Sequence, residues 1–186
     1  MWVISEGTVA GDPANGAEAW LAAHGYAASQ TWIGGYRLAT YHFPPSESPL
    51  EPLNVTFGND EIRLTGFSTV TDESPNAIRL DVRLEWEALR RPAGDYTAFV
   101  HLQAADGSLI GQHDSPPQAG YAPTSDWSPG QAITDQHGIW ISPVPPPGRY
   151  MLYVGLYNSL TGERLPTSPA TPDSRVLLSI IEIAPD

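Results

Sequence analysis

The chain has no cysteine, which removes disulfides, thiolate metal sites and cysteine nucleophiles. The redox compartment stays open, because disulfide-free proteins occur on both sides of a membrane. Lysine is absent too: the nine basic residues are all arginine, set against 21 acidic ones, for a formal charge of -12 and a pI near 4.6. With no basic patch to hold phosphates or anionic lipid, nucleic acid is not an expected partner. No run of about 18 apolar residues occurs, so this chain is not expected to insert in a membrane. No basic stretch precedes an apolar one at its start, so no export signal is expected. None of the motifs below brings a cofactor with it. At 186 residues the chain has room for one full domain and a small appendage.

What the sequence does hold is punctuation. Nineteen prolines and seventeen glycines lie between short apolar runs, which suits a many-turned β protein. Within residues 95–118, Tyr96, Ala98, Val100 and Leu102 alternate with Thr97, Phe99, His101 and Gln103. The Ala105-Asp106-Gly107 turn and the Leu109-Ile110 return then predict a β-hairpin. The layout recurs over 150–157, with a turn ending in Thr161-Gly162 and a return at Glu163-Arg164-Leu165, so a second hairpin is expected. The clearest alternation puts Ile78, Leu80, Val82, Leu84 and Trp86 on one face and Arg79, Asp81, Arg83, Glu85 and Glu87 on the other. That predicts an antiparallel strand with one face in the core and one in water. Counting every such run gives about seven or eight strands with turn signals every ~8 to 12 residues. The fold class expected is mainly β: an antiparallel two-sheet sandwich, immunoglobulin-like or jelly-roll, over residues 54–186.

A small β-α-β piece is expected before it, over 1–43, as the end of a larger α/β unit. Trp2-Val3-Ile4 reads as a strand, Asp12-Pro13 as the cap and first-turn proline of a helix reaching His24, Gly25 as its C-cap, and 30–43 as extended. The proline-rich stretch 44–53 reads as the linker.

Five histidines raise a metal question. His101, His113 with Asp114, and Asp135 with His137 lie on neighbouring predicted strands, and imidazole with carboxylate suits zinc. No His-x-His or His-Glu-x-x-His spacing accompanies them, so loop ordering and solvent contact are the roles weighed against ligation. A triad drawn from His113-Asp114-Ser115 fails, because consecutive residues point different ways. No spacing among the 21 carboxylates picks out an acid and a base, and no catalytic residue is assigned. Six tryptophans and eight tyrosines are the richer lead, since aromatic rings stack on sugar faces. Trp86 belongs to the core by its register. Tyr121 and Trp127, in the proline-rich loop 115–129, are the expected contacts for a neutral saccharide, with Asp126 and Gln118 supplying hydrogen bonds. The structural alternative is that these rings pack the loop onto the sandwich.

The order of motifs also resembles a known family. Trp2-Val3-Ile4, Trp20-Leu21, Gly25-Tyr26 and Leu38-Ala39-Thr40-Tyr41 resemble the end of the soluble region that follows the transmembrane helices of certain bacterial membrane glycosyltransferases. These are of the dolichyl-phosphate-mannose-protein mannosyltransferase and arabinosyltransferase-like type. A β-sandwich in that family resembles Leu84-Glu85-Trp86, Phe99-Val100-His101-Leu102, Gln112-His113-Asp114-Ser115-Pro116-Pro117, Pro147-Gly148-Arg149-Tyr150 and Val154-Gly155-Leu156-Tyr157. The likeness runs along nearly the whole chain. It implies a non-catalytic, extracytoplasmic, C-terminal accessory region of a membrane enzyme, with the rest of that enzyme, an acceptor glycan or a protein as partner. It carries over no catalytic residue, because the family's acidic loop motif has no match here. The reading set against it is a free-standing metal-dependent or glycan-active enzyme using the region of His101, His113, Asp135 and His137.

Overall fold

The computed structural model describes residues 1–5, 15–45 and 48–184, with the backbone alone at Trp2, Ile4 and Ser5. In chain order β1 (Trp2–Ser5), α1 (Gly16–His24), β2 (Tyr26–Ile33) and β3 (Tyr36–His42) come first. The three strands pair antiparallel in the order β1-β3-β2, and Leu21 of the helix packs with Ala39 and Tyr41. The stretch 30–43, expected as one strand, is the end of β2 and all of β3. Gly34 turns the chain between them at a φ of 63°, a left-handed conformation that glycine adopts without steric cost. The piece is therefore β-α-β-β. Asp12 and Pro13, expected as the helix cap, lie outside the described residues. Gly25 does close the helix, its N–H donating to the Leu21 carbonyl at 2.9 Å. Its backbone is extended, and glycine is required for space: a Cβ would lie 2.2 Å from the carbonyl oxygen of His42.

β4 (Glu51–Phe57), β5 (Ile62–Ser74) and β6 (Ala77–Ala88) follow as a meander, and β7 (Tyr96–Gln103) with β8 (Leu109–Ser115) is the predicted hairpin. β9 (Ala132–Ile141), β10 (Gly148–Asn158), β11 (Thr167–Ser168) and β12 (Val176–Ile183) complete two antiparallel sheets, β11-β4-β5-β6-β9 and β12-β10-β7-β8. The chain is mainly β and a sandwich, as expected. Leu80, Leu84, Trp86, Leu102, Leu152 and Leu156 are each 0% exposed in one core shared by both sheets, as the period-two alternation of β6, β7 and β10 requires.

Two expectations are modified. β4 begins at Glu51, inside the stretch 44–53; Pro52 is tolerated because β11 pairs only with Thr56 and Phe57, leaving β4 an edge strand at Pro52. The second hairpin is cut short to one bridge between Tyr157 and Arg164. β7 and β12 already occupy both edges of β10, and Pro166 has no N–H with which to continue a return strand.

β8 and β9 are the edge strands of the two sheets and meet along one open side of the sandwich, where α1 and β2 lie against them. Tyr26 makes the joint. Its ring lies over Gly138 of β9, where a Cβ would be 1.9 Å from the ring's Cζ, and its hydroxyl donates to Asp81 Oδ1 at 2.6 Å. Asp81, expected in water with its face of β6, is instead 2% exposed, because the N-terminal piece covers it. Its other oxygen pairs with His42 Nε2 at 3.1 Å and Arg79 Nε at 3.4 Å, so the buried charge is fully answered. Among the described residues no helix is long and apolar enough to cross a membrane, which says nothing of spanning by strands.

Candidate functional site

At this junction a cleft of about 580 Å³ opens between β2, β8 and the loop after β8. The lining is mostly polar and includes Glu18, Gln30, Arg37, His113, Ser115, Tyr121 and Gln136. Glu18 Oε2 accepts from Arg37 Nη2 at 2.6 Å and from the Tyr121 hydroxyl at 2.8 Å, and Arg37 Nη1 donates to Gln30 at 3.2 Å. Burial, reinforced by the bond to Glu18, pushes the Tyr121 phenol up to about 12, so it remains a neutral donor at ordinary pH. The loop reaches the cleft through a strained turn. Gln118 and Ala119 have φ of 51° and 55°, a left-handed conformation that costs on the order of 1 kcal/mol per non-glycine residue. In return the Gln118 N–H donates to Asp135 Oδ1 at 2.9 Å and its side-chain amide to the Thr134 carbonyl at 3.0 Å.

Below the cleft lies a polar chain inside the sandwich. Along β9, Ile133, Asp135, His137, Ile139 and Ile141 share the inward parity, and Asp135 and His137 are 1% and 0% exposed. Asp135 Oδ2 pairs with His137 Nε2 at 2.9 Å, and His137 Nδ1 with His113 Nδ1 at 2.8 Å. The sense of these bonds follows from what each atom can offer. With both rings neutral and Asp135 as the acceptor, His137 donates from Nε2 and keeps a lone pair on Nδ1. His113 must then donate from Nδ1, which leaves the lone pair on its Nε2. That nitrogen has no hydrogen-bond partner among the described residues, and His113 lines the cleft. Desolvation, followed by the neighbouring His137, lowers the His113 pKa to about 4, which keeps the ring neutral.

The structure brings some expected residues together and separates others. Tyr121 lines the cleft, and Gln118 is committed to β9. Asp126 is exposed in the turn Thr124–Asp126 and is not part of the lining. Trp127 is only 2% exposed, packed in the sandwich core with its indole N–H donating to the Ala122 carbonyl at 2.9 Å. This ring packs the loop and has no open face for a sugar. The five residues weighed as metal ligands fall into two sets. His101 pairs with Asp114 at 3.0 Å on the outer side of β7 and β8, whereas His113, His137 and Asp135 form the inward chain. Among the described residues no group of three or more His, Cys, Asp or Glu side chains is placed to hold a metal ion. Sequence reasoning missed Glu18, Arg37 and Tyr26, which come from the N-terminal piece, and Trp140, 66% exposed on β9. Parity could have found Trp140, which alternates with Ile139 and Ile141.

No protein-family model matches the chain. No curated protein is significantly similar either, so the glycosyltransferase resemblance stands on its motifs alone. Among solved structures, a beta-glucuronidase from glycoside hydrolase family 2 overlays 54% of this chain and 10% of its own, at 11% identity and a TM-score of 0.43. A calcium-binding mutant of Bacteroides uniformis beta-glucuronidase 2 overlays 71% of this chain and 14% of its own, at 16% identity and a TM-score of 0.40. The C-terminal domain of wzt overlays 76% and 81%, at 13% identity and a TM-score of 0.40. All three fall below the level of overall structural agreement at which a shared fold is recognised, and the chain spans a small part of each glucuronidase.

Proposed function

We propose that this chain is a non-catalytic module that binds a neutral saccharide in the junction cleft, as an accessory region of a membrane glycosyltransferase on the outer face of a bacterial membrane. The observation that carries the binding reading is the cleft itself. It presents hydrogen-bonding side chains beside the ring of Tyr121, the mixture of polar and apolar contact that a sugar needs. Its one arginine is paired with Glu18 at 2.6 Å, so the lining offers little to an anion, and the overall charge of -12 disfavours polyanions. The parentage is supported by the motif resemblance, and transmembrane helices encoded upstream in the same reading frame would bear it out.

Calorimetric titration with neutral glycans selected on an array tests the binding. Tyr121→Ala is expected to weaken it by about tenfold, the loss of one stacking ring with its polar handle. Absence of binding to any neutral glycan, or unchanged affinity in a folded Tyr121→Ala variant, contradicts the reading.

A further inference from the structure

We propose that a second cleft, on the other side of Tyr26, is a stacking subsite for a pyranose ring, so that the module takes an oligosaccharide across two adjoining clefts. The inference rests on the saccharide reading above and extends it. The second cleft has a volume of about 310 Å³, and Tyr26, Ala27, Ala28 and His113 line both it and the larger one. Its other walls are Arg79, Gln112, Gly138 and Trp140. The two clefts thus adjoin along the residues they share.

Three features of the smaller cleft point to a sugar. First, Trp140 is 66% exposed on β9 and lines this cleft, so its ring is open to stack on a ligand there. Trp20 and Trp32 are exposed as well but line neither cleft. Trp140 faces Arg79 across the β6–β9 pairing, and directly opposed residues on one face of a sheet are neighbours, so the arginine edges the ring. Second, the cleft is close to neutral. The Arg79 guanidinium donates to Asp72 at 2.7 Å and to Asp81 at 3.4 Å, which leaves N–H groups to offer without an unanswered charge. Third, with both rings neutral the Asp135–His137–His113 chain leaves Nε2 as the bare acceptor of His113, a residue that lines both clefts. An apolar plate, donors from Arg79 and Gln112 and a fixed acceptor match the apolar face and hydroxyl rim of a neutral pyranose. Asp135 and His137 are positioning residues; His113 and Trp140 are the proposed contacts.

Titration with neutral manno- and gluco-oligosaccharides of increasing length is the test. Affinity is expected to rise by roughly tenfold from the monosaccharide to the longer members. Trp140→Ala should abolish that increment, whereas Tyr121→Ala weakens every length. An increment that persists in Trp140→Ala overturns this inference alone, and no binding at any length removes the saccharide reading with it. The acceptor is read without ligand by long-range nitrogen-proton NMR of the histidine rings. The expected state is His113 protonated at Nδ1 and bare at Nε2, lost in His137→Ala; the opposite tautomer in the native protein sinks the role given to His113.

Discussion

At the scale of single residues, His113 makes the most definite statement about solution behaviour. Its pKa falls from 6.5 to about 4 in the fold, first through desolvation and then through His137. Between those values the unfolded chain binds a proton that the folded protein refuses, so stability must rise with pH across that window. The contribution is complete above the unfolded value and lost as pH falls toward the folded one, at most on the order of 3 kcal/mol. Urea midpoints measured from acid to neutral pH should show this slope, and His113→Gln should flatten it. The same residue shows where reading a sequence stops. That Asp135 and His137 interrupt the apolar parity between Ile133 and Ile139 is visible in the chain, but that His113 meets them depends on two edge strands from different sheets coming side by side.

At the scale of elements, local period was a sound guide and long-range cover was not. Strand β6 could be read from its alternation, and Leu84, at 0% exposure, is expected to cost about 2 to 5 kcal/mol on replacement by alanine in equilibrium unfolding. The same alternation predicts a solvent-facing Asp81, because nothing within residues 77–88 announces that Tyr26, 55 positions earlier, lies over it. For Trp127 the packing alternative is the one the fold adopts: a proline-rich loop looks like surface, yet its indole lies in the core. The joint between β2 and β9 gives a sharp test. Since a Cβ at residue 138 would stand 1.9 Å from the ring of Tyr26, Gly138→Ala should push that ring off Asp81. Limited proteolysis of the variant is expected to cut within 15–45 much faster than in the native protein, and equal rates would show that the piece is held by something other than Tyr26.

At the scale of the whole molecule, a β-sandwich has its open side closed by an N-terminal layer, and the larger cleft forms where they meet. Both sheets and their common core lie within residues 51–183. A fragment beginning at Ser48 is therefore expected to fold cooperatively but to melt at a lower temperature, having uncovered Asp81 and the groove over Gly138. A fragment that fails to fold would make the N-terminal piece part of the folding unit. Amide chemical-shift mapping during titration with a neutral oligosaccharide asks whether ligand binds at the junction proposed as its site. Perturbations should cluster at 27–30, 113–115, 119–121 and 136, on both parts of the molecule at once, and extend to 79, 112, 138 and 140 as the oligosaccharide lengthens. Shifts confined to one part, or none with any neutral glycan at saturating concentration, would contradict the account.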